Sequence, residues 1–362
     1  MNTQYSQPTI SHSPLAEMPV SKKFKLNPFV TLALAIIFSI TFVNLPFDGQ
    51  FRREFVDLDV YKSLFGHNSD ENILSSYDGA SLLDYFTNEY LWNFVIINLR
   101  NILGSSDSAL ACISIFCCAI YFLAMSRMSN IYHAVIVMFH PIMILFIMSQ
   151  LRSAFAISLV YLALVELQFW KKAYLEEDNS TSTSFWIWTI IASQVILLLS
   201  SCFVHSSMAI ILFSLLVSVV SSWLTKNQHC KTALLIVSIL ILSIVFSISL
   251  LRYQLLSAIG DRRAIYQDGS SGTLEILAWI PFVIYGYFRF SKTLIDPLWT
   301  FSIICVAVFL LSSLLGMMSS RFLLFAFPAI IYSIYSLQKD RILLFTWFYS
   351  LQFLYIFYHI LR

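Results

Sequence analysis

QLRSAFAISLVYLALVELQFWKK, residues 150–172, decides the fold. It is an unbroken apolar run with an arginine in its first turn and a lysine pair after its last. About 20 mostly apolar residues cross roughly 30 Å of hydrocarbon as a helix, so the run reads as a membrane span. The next apolar run closes in SCFVH, residues 201–205, which sets Arg152 and His205 at the ends of apolar segments. If both ends lie on one membrane face, they begin a site.

The pattern repeats outward from there. Of 362 residues, 58% are hydrophobic and only 12% charged, and the mean hydropathy is +0.76, outside the range of a soluble domain. In lipid every backbone polar group must pair within the protein, and the alternating pattern of a barrel is absent, so the expected fold is all-α. The reading is a polytopic integral membrane protein with about 11 transmembrane helices. The spans fall at residues 28–45, 108–125, 131–148, 152–170, 185–201, 206–224, 233–251, 273–288, 298–318, 322–337 and 343–360. No repeat of fixed period is visible, which weighs against transporters built from duplicated halves.

Residues 1–27 are polar and end in Lys22, Lys23 and Lys25, with no small-residue cleavage site after the first span. They read as a disordered cytoplasmic tail ahead of an uncleaved helix, with residues 28–362 as one membrane domain. Residues 47–107 form an acidic outer loop carrying an interfacial helix at 91–103, too short to cross and interrupted by Arg100. Residues 252–272 form a second outer loop, too polar to cross and too long for a plain connector.

With the tail in the cytoplasm, 12 basic residues fall inside and 10 outside, a weak bias by number. By identity the bias is strong: nine of ten lysines are inside, whereas nine of twelve arginines are outside. Lysine behaves as a topological anchor, so the outer arginines need another reason. A guanidinium binds phosphate oxygens bidentately and keeps its proton. Arg152 and Arg321 each open a span on the outer side, and Arg252, Arg262 and Arg263 flank the second outer loop. These five are the candidate diphosphate ligands. Snorkelling to headgroups competes as an account of Arg152 and Arg321, and a solvated Asp261–Arg263 pair competes in the loop.

His205 is a lone histidine at an outer span end, and the arginines on the same expected face give it weight. His12 is in the tail, His229 is in an inner loop, and His133 and His140 lie along one span. Asp57, Asp59 and Glu89 of the first outer loop are candidate base or sugar-hydroxyl ligands. Tyr61, Tyr90, Trp92 and, in the second loop, Tyr266 offer flat faces to sugars. His205 is the preferred base and Asp59 the alternative, because nearby arginines lower a carboxylate's pKa while keeping an imidazole neutral. Five of six cysteines, Cys112, Cys117, Cys118, Cys202 and Cys305, lie in or at the ends of apolar runs, and Cys230 is in a polar loop. There is no disulfide framework, zinc spacing, HExxH or Gly-rich phosphate loop, so metal and nucleotide chemistry are not expected and no cofactor is assigned.

The order of these features resembles a family. DxDxY (Asp57, Asp59, Tyr61), EYLW (residues 89–92) before a short helix, LRSAFAISL with a basic pair after it, and FVHSSM resemble the EpsG-like branch of Wzy-type O-antigen and capsule polymerases. The likeness covers residues 47–224, with an echo in SSRFLLFAFP at 319–328. Where such sequences often carry Arg-Gln this chain has Arg152-Ser153, and where Pro often follows the Glu it has Tyr90, so Ser153 and Tyr90 inherit no role. The resemblance implies a metal-independent glycan polymerase of the bacterial inner membrane, acting at the periplasmic face on undecaprenyl-diphosphate-linked oligosaccharides. A chain-length regulator and a flippase of the same pathway are the implied partners, with membrane lipid around the protein and no nucleic acid. The alternatives are an O-antigen ligase-like transferase, a lipid-linked oligosaccharide flippase or other transporter, and a structural membrane subunit. Ionisable groups are nearly absent mid-span, with Glu166 close to an inner end, which favours surface chemistry over passage of a head group.

Overall fold

The computed structural model describes residues 28–47, 56–67, 75, 77–87, 89–175, 182–247, 273–315 and 320–336, with 344, 346–351 and 354 beyond them. Every regular element among them is helical. In chain order they are α1 (Pro28–Val43), α2 (Val56–His67), α3 (Leu82–Thr87), α4 (Tyr90–Leu103), α5 (Ser106–Met128), α6 (Ile131–Met138), α7 (Pro141–Met148) and α8 (Leu151–Leu175). They continue with α9 (Ser182–Val204), α10 (Met208–Lys226), α11 (Cys230–Phe246), α12 (Thr273–Phe288), α13 (Phe290–Thr293), α14 (Pro297–Leu314) and α15 (Ser320–Ser336).

Three described helices, α5, α10 and α14, are long and apolar enough to cross a membrane, and α6 with α7 makes a fourth if the pair counts as one span. Six shorter apolar helices of 10–17 residues accompany them. Among the described residues the fold is therefore all-α, with three or four membrane-capable helices. Residues 131–148, expected as one span, are two helices bent by 74°, a broken span or a re-entrant loop. Pro141 cannot donate a backbone hydrogen bond and its ring opposes a continuing helix, so the chain breaks there. His140 then accepts from the Ile142 N–H at 3.2 Å and caps the new helix, with Pro141 in its first turn.

Burial on α10 runs opposite to that of a helix in a soluble bundle. On α10 the side chains of Ser214, Ser218, Ser221, Ser222 and Thr225 are buried, while Leu216, Val219, Val220 and Trp223 are exposed. The hydroxyls of Ser214, Ser218 and Thr225 bond back onto carbonyls one turn earlier, as Ser218 does to Ser214 at 2.7 Å and Thr225 to Ser221 at 2.8 Å, while Ser222 donates across to the Ile295 carbonyl. Small residues let helices approach when the surrounding solvent is as apolar as the core, so this inversion is compatible with a membrane protein. Gly286 serves the same end where α12 crosses α14. A Cβ there would stand 2.7 Å from Ile303 Cδ1 and 2.9 Å from Cγ1.

The central bundle packs α5 against α1, α8 and α15, with α9 against α8 and α14 against α15. Outside it, the described parts of residues 47–107, with α2, α3 and α4, form a folded cap. The α4 helix ends at Gly104, whose left-handed φ of 81° turns the chain and whose N–H returns to Arg100 O at 2.8 Å. Ser105 then caps α5 through the Ser108 N–H at 3.1 Å. Arg100 donates to the Phe65 carbonyl, and Ser106 donates to the same oxygen at 3.1 Å, which ties the end of α2 to the α4–α5 corner. Arg100 thus has a structural use.

Candidate active site

Four elements bring one ionisable residue each to the same end of the bundle. Arg152 stands in the first turn of α8, His205 directly after α9, Arg321 in the first turn of α15, and Glu89 at the residue before α4. Antiparallel packing explains this: α8 and α9 run side by side, so the start of one meets the end of the other. Glu89 is brought in from the cap, because α4 packs on α5 and α9.

Glu89 joins the group. Its Oε2 pairs with Arg152 Nη1, and its Oε1 accepts from His205 Nδ1 at 2.6 Å. Glu89 is only 4% exposed and His205 is fully buried, so both interactions stand away from water. Glu89 adopts φ 58° and ψ 47°, a left-handed conformation that costs an L residue about 1–2 kcal/mol. Its backbone still starts the helix, since Glu89 O accepts from Trp92 N at 3.0 Å. The strain aims its side chain at α8 and α9.

The arginines sit where a cation is least at ease. Helix N-termini carry partial positive charge, so Arg152 and Arg321 in the first turns of α8 and α15 add to that field. Such a concentration of N–H dipoles and guanidinium is a setting for anions. Glu89 offsets one arginine, and Arg321 lies close enough to His205 to act on it electrostatically.

Opposing influences act on His205. Burial lowers its pKa, the Glu89 hydrogen bond and charge raise it, and Arg152 and Arg321 lower it again. Burial wins and leaves the imidazole at about 4, because Arg152 already offsets the charge on Glu89. The neutral ring then donates from Nδ1 to the carboxylate, which fixes the tautomer with a lone pair on Nε2. Nε2 is buried and has no hydrogen-bond partner among the described residues; the same holds for Arg152 Nε and Gln150 Oε1. This arrangement can hold an anion and accept a proton beside it.

The other sequence candidates lie elsewhere. Asp59 is exposed on α2, and among the described residues no hydrogen bond or ion pair joins it to the cluster. Asp57 lies in α2, its side chain outside what the structure describes. Tyr61 and Trp92 are buried against each other, ring centroids 5.3 Å apart, with Phe155 of α8 on the far side of Trp92 at 6.3 Å. They hold the cap on the bundle. Arg252, Arg262, Arg263 and Tyr266 fall outside the described residues.

Tyr77 and Asn93 were not singled out by sequence and belong at the edge of the site. Asn93 Nδ2 donates to Tyr77 Oη at 2.7 Å, and Tyr77 lies within electrostatic reach of Glu89 and Arg152. Burial is the main influence raising its phenol pKa. Nothing in the local string SSYDGA announces such a contact, which depends on how the cap folds. Among the described residues no group of three or more His, Cys, Asp or Glu could hold a metal ion. The chain matches no family model, no curated protein and no solved structure.

Proposed function

We propose that this chain is a metal-independent membrane glycosyltransferase that joins lipid-diphosphate-linked oligosaccharide units into a polysaccharide, with His205 as general base. The observation that carries the reading is the Arg152–Glu89–His205 chain, in which a buried carboxylate orients an imidazole whose Nε2 has no partner among the described residues. The resemblance to Wzy-type polymerases supplies the substrate class, undecaprenyl-diphosphate-linked repeat units at the periplasmic face of a bacterial inner membrane.

In the reaction, a sugar hydroxyl of the acceptor attacks the anomeric carbon of the donor glycan. The new C–O bond forms as the bond from that carbon to the diphosphate oxygen breaks. The diphosphate leaves with the electron pair, and the hydroxyl proton passes to His205 Nε2. Arg152 and Arg321 stabilise charge growing on the leaving group, the task a bound cation performs elsewhere. Glu89 steadies the imidazolium once it forms. Its carboxylate is fully engaged with Arg152 and His205, so orienting the base suits it better than binding a sugar.

This reading uses the full topology of about 11 spans, with the amino terminus in the cytoplasm and the cluster outside. A single cysteine at the exposed position Ser63, in a cysteine-free background, should then be labelled from outside intact spheroplasts. One at Asn227, in the turn between α10 and α11, should label only after lysis. The reverse pattern would put the cluster in the cytoplasm and end the periplasmic reading.

Arg152→Lys tests the diphosphate role. A lysine keeps the charge but lacks the fork, so activity on purified lipid-linked repeat units should fall nearly as far as in Arg152→Ala. The expected loss is about 2–4 kcal/mol in transition-state stabilisation, by analogy with oxyanion-hole donors. Full polymer length in Arg152→Lys at equal protein level would favour a headgroup-snorkelling arginine instead.

A further inference from the structure

Just before Glu89 the chain gathers tyrosines. Tyr77 and Tyr85 stack with centroids 5.6 Å apart, and Tyr90 meets both edge-on, at 5.0 Å from Tyr77 and 4.9 Å from Tyr85. Tyr77 is buried and serves as the floor, while Tyr85 and Tyr90 are half-exposed. The floor is fixed by polar contacts, with Asn93 donating to Tyr77 Oη at 2.7 Å and Tyr85 Oη donating to Tyr77 O at 3.3 Å. The Tyr90 hydroxyl makes no hydrogen bond among the described residues.

Position ties this cluster to the site. Phe86 meets Phe203 edge-on at 6.2 Å, and Phe203 lies two residues before His205, so the tyrosine elbow rests on the His205 end of α9. Tyr90 follows Glu89 directly, and Tyr77 is coupled electrostatically to Glu89 and Arg152.

We propose that Tyr77, Tyr85 and Tyr90 form a platform for one pyranose ring of the acceptor glycan. The proposal rests on the glycosyltransferase reading above and names where its second substrate is held. A pyranose is apolar on its C–H face and polar around its rim. The half-exposed rings of Tyr85 and Tyr90, fixed in place by the buried Tyr77, suit the face, and the Tyr85 and Tyr90 hydroxyls suit the rim. An interfacial aromatic belt would instead set tyrosines singly at the headgroup level, without a buried, amide-anchored member. Stacking on the platform would orient the attacking hydroxyl beside His205.

The test is binding of lipid-free oligosaccharides by the full-length protein in nanodiscs, read by saturation-transfer NMR across a panel of bacterial-type repeat-unit glycans. Wild-type protein should bind at least one of them. Tyr90→Ala and Tyr85→Ala should weaken that binding at least tenfold, and Tyr90→Phe by only a few-fold. Unchanged binding in both alanine variants, or no binding by wild-type protein to any member, would overturn the platform. Neither result bears on His205, whose failure would appear as full turnover by His205→Ala with glycan binding intact.

Discussion

Glu89→Gln is expected to abolish polymer formation and to lower the thermal unfolding midpoint of the purified protein. The carboxylate is 4% exposed and both oxygens are in use, so the amide keeps the shape while removing the charge that balances Arg152. The Arg152 side chain keeps 17% of its surface exposed, so leaving its guanidinium without a charged partner costs less than the about 3–5 kcal/mol of a fully buried pair. Backbone strain at position 89 stays in the comparison unchanged, since glutamine meets the same left-handed penalty as glutamate. On activity the amide acts through the tautomer. Its NH₂ can donate to His205 Nδ1, which holds the ring proton on Nε2 and removes the lone pair that would accept from the sugar. The analogous change in a Ser-His-Asp triad lowers turnover roughly 10⁴-fold. Structural and catalytic roles separate in the pair Glu89→Gln/Arg152→Met. Removing the orphaned cation should restore at least about 1 kcal/mol of stability through coupling between contacting residues, while polymerisation stays lost. A double variant no more stable than the single one would show that the ion pair does not hold this corner. A fully active Glu89→Gln would remove Glu89 from the mechanism.

What could be read in the sequence follows from how local each feature is. Arg152 and His205 were placed on one face by counting apolar runs and lysines, and their meeting with Arg321 needs only that neighbouring helices alternate in direction. Glu89 is a different case. From sequence it reads as a base or sugar ligand because it lies in an acidic loop, but its partners stand 63 and 116 residues away in sequence, and only the packing of α4 on α9 joins them. The same cap explains Tyr61 and Trp92. Aromatic residues in a polar loop look solvent-facing, yet α2 and α4 are folded elements with a hydrophobic side of their own, and that side takes these two rings. The break between α6 and α7 had a visible cause in Pro141. Even hydropathy over residues 131–148 hid it, because hydropathy measures composition and a proline's effect is geometric. The left-handed backbone at Glu89 had no signal, since neither glycine nor asparagine occupies the position.

For His205 the expected result is an acid limb in kcat/KM well below that of an ordinary histidine. The reaction needs the neutral ring, and burial with Arg152 and Arg321 brings the imidazole down to about 4. Activity should therefore stay level as pH falls from 8 towards 5 and decline only below it. Stability should follow the same ionisation. Between the folded value and the ordinary 6.5, the unfolded chain binds a proton that the folded one refuses. Stability contributed by His205 is thus complete above about pH 6.5 and is lost as pH falls towards 4. Arg321→Gln removes one of the charges that lowers the pKa, so its acid limb should move to higher pH even as donor binding weakens. A residue that merely packed near the site would change the rate without moving the limb. His205→Ala should lower turnover by about 10² to 10⁴, the usual contribution of a positioned base, and should erase the limb. Asp59→Asn is the matched control, because Asp59 is exposed on α2 and stands apart from the cluster. If His205→Ala kept wild-type turnover and Asp59→Asn were inactive, the proton would go to Asp59. If both stayed active, neither residue would be the base, and the buried Glu89–His205 contact would be a structural tie between the cap and α9.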